Sequence, residues 1–412
     1  MPESPRQRRL VLPPMARRLM MGQSLSKTGD TFTQVALAIF VLKISRNNPA
    51  ALGLVMAMIY APRLVMGWAA MGWIDRWNKR RLLLIADGAR ALLVLSIALV
   101  HTFTWTAAAV FLIYVFQMLY HPAVRSIQPQ LAGSVEANRV SVVRQDQWSQ
   151  AGSIVAYIIG GFLIVHYGPS VGFVLDAVSY VISGAFILSL PVGLSLWQGG
   201  ADQNSPYLTQ IREGLQYAGT HRLVILLILI SFFAMMGAAG SGTLLAPAMR
   251  RLWHEPTADY SWTLLALSVG AMVGSRLLET HGQGIDLRTL LMGGFFLTGI
   301  AIAGLTLVTS HLWLIMLIVA IVGLGNAMFS TSVMVWLQQI LPIQVRGRVM
   351  TIRSSMMGLA GVIGSCGVGA VIAHAMSLGF VIVAALLIVS GLILLVPWFF
   401  RQTAGSGVSA SI

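Results

Sequence analysis

The stretch Gly72 to Arg81, GWIDRWNKRR, puts one acid and four bases into ten residues, between the apolar runs LVMGWAAM (64–71) and LLLIA (82–86). A burst of charge between two greasy segments marks a place where a chain leaves a bilayer and turns back, since a span needs about 20 largely apolar residues. The rest of the chain agrees. Its 412 residues are 57% hydrophobic and only 10% charged, with a mean hydropathy of +0.79. A soluble domain carries about 25% charged residues. The 41 glycines fit as well, because Gly is commoner in membrane helices than in soluble ones. The sequence is that of an all-helical protein crossing the membrane many times.

Twelve stretches are long and apolar enough to cross: 18–42, 50–74, 82–101, 105–121, 143–166, 169–191, 222–248, 259–280, 287–309, 312–340, 349–376 and 379–400. The one long polar connection, 192–221, falls at the centre. It divides the chain into an N-terminal half (1–191), a central loop and a C-terminal half (222–412) of six spans each. The amino terminus, one alternate set of loops and the carboxyl terminus hold about 20 of the 27 Lys and Arg. The opposite set holds Lys43, Arg46, Arg250 and Arg251. By the positive-inside rule both termini and the central loop face the cytoplasm. The net charge of +14 is thus a topology signal and a contact for anionic lipid, and no nucleic-acid partner is expected. The lone Cys366 excludes an internal disulfide, and its apolar, small-residue surroundings indicate packing. The basic start SPRQRRLVLPPMARR leads into a first span with no small-residue cleavage site, so that span is expected to be retained.

Two six-span halves suggest duplication. A shift of 209 residues lays 120–144 on 329–353, matching Val124, Gln130, Arg139, Val140 and Arg144 with Val333, Gln339, Arg348, Val349 and Arg353. Both segments lie between the fourth and fifth spans of their half. Six-helix repeats related by an axis along the membrane normal are a known transporter plan.

The stretch 72–81 resembles the signature loop of the major facilitator superfamily, Gly-x-x-x-Asp-Arg-x-Gly-Arg-Arg. Asp75, Arg76 and Arg80 match, and Lys79 keeps a charge. Gly72 stands one place late, and Asn78, which tolerates left-handed backbone, replaces the inner Gly. GQSLSKTGDTFTQVALAIFVL, ADGARALL, HPAVRSIQPQL, GFVLDAVSYVISG, GLGNAMF and LPIQVRGRVM resemble the drug:proton antiporters that include macrolide-efflux and enterobactin-exporter-like proteins. One hallmark departs: Gly-x-x-x-Gly-Pro-x-x-Gly-Gly reads GSIVAYIIGG, with Ala156-Tyr157 for Gly-Pro, so a proline kink is lost. The resemblance implies a monomer with a cytoplasmic gate built from Asp75, Arg76, Arg80, Arg81 and Asp87. In that gate Asp75 faces the start of span 11, near Gly347 to Met350, and Arg76 or Arg80 pairs with Asp87. The alternative is a plain basic anchor, which leaves Asp75 and Asp87 unexplained.

A charged side chain at mid-bilayer costs about 2.5–3.5 kcal/mol on insertion scales and marks function by default. Lys27, Asp30 and Arg63 qualify, and could form one cluster. At about 1.5 Å per residue Asp30 lies roughly 18 Å into span 1, near the midplane. Gln23, Lys27, Asp30 and Gln34 follow spacings of 4, 3 and 4, which puts them on one helix face. Such a stripe must face protein or water. Span 5 carries another: Asp146, Gln150, Ser153 and Tyr157. Burial favours a protonated carboxyl and nearby cations an ionised one, so an acid caught between them suits proton exchange. Asp30 is the first proton-coupling candidate, against a permanent Lys27–Asp30–Arg63 bridge. Asp176 is the second, against a structural contact to a loop. Gln23, Lys27, Gln34, Arg63, Tyr114, Gln117 and Asn326 are the substrate-binding candidates. For the last group interhelical hydrogen bonds are the competing reading.

Gly-x-x-x-x-Gly-Lys-Ser/Thr, His-Glu-x-x-His and Gly-x-Ser-x-Gly are missing from the sequence, so no ATP-driven step, metal site, cofactor or enzymatic role is expected. The expectation is a secondary transporter in the cell membrane that exports a small organic molecule (drug, macrolide-like compound or siderophore-type metabolite) against protons. Proton-coupled uptake and a membrane-embedded lipid-handling protein are the alternatives.

Overall fold

A computed structural model describes residues 12–74, 77–190, 207–281, 285–309 and 311–395. Thirteen helices occur among them and no strand. That outcome follows from the solvent, because a lone helix satisfies every backbone group within its own segment and an open strand does not. The first six are α1 (Pro14–Ile44), α2 (Pro49–Ile74), α3 (Lys79–Leu99), α4 (Phe103–Ala132), α5 (Val135–Tyr167) and α6 (Ser170–Leu188). Then come α7 (Tyr207–Thr220), α8 (Arg222–Arg251), α9 (Tyr260–His281), α10 (Leu287–Gly304), α11 (Leu312–Ile340), α12 (Ile343–His374) and α13 (Met376–Ile393). Twelve of them, all but α7, coincide with the twelve expected spans. Ten stretches meet a strict length and hydropathy standard, and Pro49–Leu64 of α2 is a shorter apolar helix. The polar stripe of α1 keeps that helix below the standard.

The helix starts repeat with the offset seen in the sequence. α4 begins at Phe103 and α11 at Leu312, 209 residues on; α3 begins at Lys79 and α10 at Leu287, 208 on. The α4–α5 break falls at Gly133, whose φ of 73° suits glycine. Pro342, its counterpart after the shift, starts α12. Three expectations need correction. α4 and α5 run well past the hydrophobic limits at 121 and 143, because the helix continues until Gly133 and the Ser134 cap stop it. The central connection is not wholly loop, since α7 forms within it. Asn78 is not left-handed: its φ is −62°, and its side chain accepts the N–H of Arg81 at 3.2 Å as the cap of α3, the role short polar side chains fill best.

The chain divides into two compact units. The first comprises Met1–Ala36, Ala69–Val100 and Leu112–Gly199; the second comprises Leu37–Trp68, His101–Phe111 and Gly200–Ile412. In the first, Leu19, Leu83, Tyr120, Ile127 and Ile187 form the apolar centre. α1 is seated there in glycine notches. A side-chain carbon on Gly29 would stand 1.9 Å from Ser179 Oγ, and one on Gly172 would stand 2.7 Å from Ala36 Cβ. In the second, Phe295 stacks on Phe329 with ring centres 4.6 Å apart, and α12 lies against α2 through small residues. A carbon on Gly53 would stand 2.4 Å from the Ser365 carbonyl oxygen and 3.0 Å from Gly369 Cα. Small-residue contacts of this kind let membrane helices approach closely. Large apolar residues such as Leu92, Leu99, Val174, Val178 and Val181 stay exposed, as expected where lipid is the neighbour.

Candidate functional site

Most of the expected site residues lie in the first unit, around α1. Asp30 does not pair with Lys27, which is exposed, and no ion pair joins the two among the described residues. The Tyr180 hydroxyl of α6 donates to Asp30 Oδ1 at 2.6 Å, and Gln117 Nε2 of α4 approaches Oδ2 at 3.5 Å. Four residues from Tyr180 on the same face of α6, Asp176 accepts from Thr33 Oγ1 of α1 at 2.6 Å and from Ser179 Oγ at 3.3 Å. Its partners are thus helix hydroxyls and not the loop of the competing reading. Each acid takes a hydroxyl donor from the other's helix, a reciprocal α1–α6 clasp. Only a glycine at position 29 leaves room for it.

The clasp is joined to a buried ion pair. Arg90 bonds Asp87 one turn before it on α3, and Asp87 also accepts from Ser183 Oγ at 2.8 Å. Asp87, Arg90 and Asp176 are each at most 2% exposed. The Arg90 guanidinium lies 4.3 Å from the Tyr120 ring centre and 4.4 Å from that of Tyr180. Such cation–π contacts are worth about 2 kcal/mol or more when desolvated. Tyr180 therefore touches both Arg90, through its face, and Asp30, through its hydroxyl. It is the bridge between the α1 acid and the α3 ion pair.

The remaining α1 stripe is tied in with amides and hydroxyls. Gln145 Nε2 donates to Gln23, and Gln128 Nε2 donates to Gln145 Oε1 at 3.1 Å. Tyr157, where the family pattern has proline, donates to Gln34 Oε1 at 3.2 Å. Ser153 shares a 2.9 Å hydroxyl contact with Thr31, while Asp146 and Gln150 are exposed. Tyr114 is half-buried on α4. Arg63 and Asn326 belong to the second unit. There Arg63 stands 5.7 Å from the Tyr60 ring centre, and Asn326 is half-buried on α11.

The expected gate is only partly described. Asp75 and Arg76 lie outside the described residues. Arg80 does not pair with Asp87. Its guanidinium donates to the carbonyls of Leu188 at 2.5 Å and Ile187 at 3.4 Å, at the end of α6, where a cation meets the negative end of the helix dipole. Arg90 takes Asp87 instead, since a residue three positions along the same helix already shares its face. Arg81 is exposed. Sequence reading missed Arg90, Tyr120, Tyr180, Thr33, Gln128 and Gln145. Two signals existed: the Asp87–Arg90 spacing of three and the Asp176–Tyr180 spacing of four.

The chain is 25% identical to YfiS of Bacillus subtilis (strain 168), an uncharacterised transporter of the major facilitator type, over 92% of each chain. It is 24% identical to the staphyloferrin A transporter of Staphylococcus aureus, over 79% of this chain and 81% of that one. It is 22% identical to macrolide efflux protein A of Streptococcus pyogenes, over 83% and 85%. Its fold matches the crystal structure of the nucleoside transporter NupG with a TM-score of 0.76 at 13% identity, covering 94% of this chain and 99% of that one. The model of the Major Facilitator Superfamily fits residues 19–278 and 227–411. Twelve long helices among the described residues, a duplicated register and a match over nearly the whole length make this chain a member of the major facilitator superfamily, a multi-pass membrane transporter with efflux-type relatives.

Proposed function

We propose that this chain exports a small organic molecule across the cytoplasmic membrane in exchange for protons, as a monomer with both termini in the cytoplasm. The observation that carries the reading is the Tyr180–Asp30 hydrogen bond at 2.6 Å. It holds a carboxyl on the polar face of α1 with hydroxyl and amide partners and no fixed cation directly upon it. Such an acid can be loaded and emptied of a proton as access to a midplane site alternates. Asp176 is the second proton-coupling group, clasped to the same helix. Gln23, Lys27, Gln34, Arg63, Tyr114, Gln117 and Asn326 are the proposed substrate-binding residues. Relatives named for a macrolide and for a siderophore support a drug-like, macrolide-like or siderophore-type substrate. Proton-coupled uptake is the second reading. It is favoured by Tyr157 replacing the antiporter proline and bonding Gln34.

The test uses everted vesicles holding an internal acid pool reported by a pH-quenched dye. Adding a transported macrolide or siderophore is expected to release protons from vesicles carrying the wild type and not from those carrying Asp30→Asn. Release that survives the substitution moves coupling to Asp176. No release with folded wild type, together with proton-driven accumulation in right-side-out cells, establishes uptake.

A further inference from the structure

Lys43, Arg46, Arg250 and Arg251 are the four bases on the side of the chain where cations work against the topology signal. They come from equivalent places in the two repeats, the ends of α1 and α8. Within the second unit these ends meet at a cavity of about 240 Å³. Leu42, Ala246 and Pro247 give it aliphatic walls; Arg250, Arg251, Asn47 and Thr257 give it polar ones. Arg251 Nη2 donates to the Asn47 carbonyl at 2.6 Å. That carbonyl is presented by an unusual turn. Arg46 and Asn47 both have left-handed φ angles, 55° and 58°, and the Asn47 N–H closes on the Leu42 carbonyl at 2.7 Å. Glycine usually takes such a helix stop. Consecutive non-glycine residues held there are an outlier of the kind that collects at ligand clamps.

The charges are not cancelled. Among the described residues neither Arg250 nor Arg251 is paired with a carboxylate, and Arg250 donates no hydrogen bond. We infer that this cavity binds the carboxylate or phosphate head of an amphiphilic anion, held by the Arg250 and Arg251 guanidiniums with its apolar body against Leu42, Ala246 and Pro247. Guanidinium forks match both groups bidentately. The volume suits a head group and not a whole drug-sized molecule, for which pockets run about 300–1,000 Å³. Two sources carry this chemistry: an anionic phospholipid of the surrounding leaflet, and a free amphiphilic acid from water. The site is separate from the α1 clasp and does not depend on the direction of transport.

Native mass spectrometry of the purified full chain in neutral detergent tests it, with phosphatidylglycerol, phosphatidylcholine and decanoate as probes. Phosphatidylglycerol retained over phosphatidylcholine, and weakened roughly fivefold for each guanidinium removed in Arg250→Gln and in Arg250→Gln/Arg251→Gln, identifies a lipid head group. Decanoate bound with the same dependence, and no phosphatidylglycerol, identifies a free acid. Arg250→Gln removes no hydrogen bond or ion pair among the described residues, so it separates binding from folding should the double variant unfold. Binding of neither anion, or binding indifferent to Arg250→Gln, overturns the site.

Discussion

A single hydroxyl decides how the α1 acid is connected to the rest of the protein. Tyr180→Phe keeps the ring against Arg90 and removes only the donor to Asp30. A hydrogen bond to a charged group contributes about 1.5–3 kcal/mol, so proton-driven transport is expected to fall about tenfold or more. Substrate counterflow, which needs no net proton movement, is expected to persist; vesicle assays that follow both will separate uncoupling from misfolding. Arg90→Met leaves Asp87 buried without its partner, a loss of about 3–5 kcal/mol in soluble proteins. Less folded protein is expected by detergent thermal melt, with recovery in Asp87→Asn/Arg90→Met. At this scale the sequence marked Asp30 and Asp176 as acids within apolar spans, and the structure gives each of them hydrogen-bond partners. The sequence was not legible for partners, because a tyrosine in a span reads as interface or packing until its hydroxyl is placed. Lys27 shows the limit from the other direction. A side chain that shares a helix face with an acid still has a long, flexible stem free to leave it.

Helix positions followed from hydropathy, but helix ends did not, because a membrane helix ends where a cap or a left-handed residue stops it. α7 was hidden for the opposite reason: it is amphipathic and polar on average, although Ile211, Leu215 and Ala218 recur at helical spacing. Its Glu213 pairs with Arg348 of α12, both partly exposed, a contact worth about 0–1 kcal/mol. Docking of α7 therefore rests more on Gly214, which lies against Ile352 and Arg348. The α2–α12 seam is stiffer. Gly53→Leu would drive a side chain into the backbone at Ser365, which cannot move aside as a rotamer does. Cys366, the neighbouring residue and the chain's lone cysteine, reports on it directly. Maleimide labelling of Cys366 is expected to rise severalfold in Gly53→Leu as the seam opens; an unchanged rate would mean that the helices tolerate the added bulk.

Across the whole molecule, duplication accounts for more than five matching residues in 25 would suggest, since it also sets where helices begin. The division into compact units follows the polar centre of the chain, between Gly199 and Gly200, but it also cuts through α1, α2 and α4, and those cuts were not legible because hydropathy runs unbroken across them. Orientation rests on charge and can be measured independently of transport. Alkaline phosphatase fused after Asn47 or His254 is expected to be active, and after Trp77 or Asp286 inactive. The reverse pattern would invert the proposed topology and, with it, the direction of export.

The Asp87–Arg90 pair has a consequence for biogenesis. Both residues sit on α3, so the span enters the translocon already carrying its own counter-charge. Each alone would cost about 2.5–3.5 kcal/mol at the centre of an inserting helix. Tyr120 and Tyr180 follow only 30 and 90 residues later in the chain. During that interval Asp87 and the Ala86 carbonyl, both on α3, are the partners the guanidinium has, and the aromatic sandwich closes around a charge that synthesis has already made tolerable.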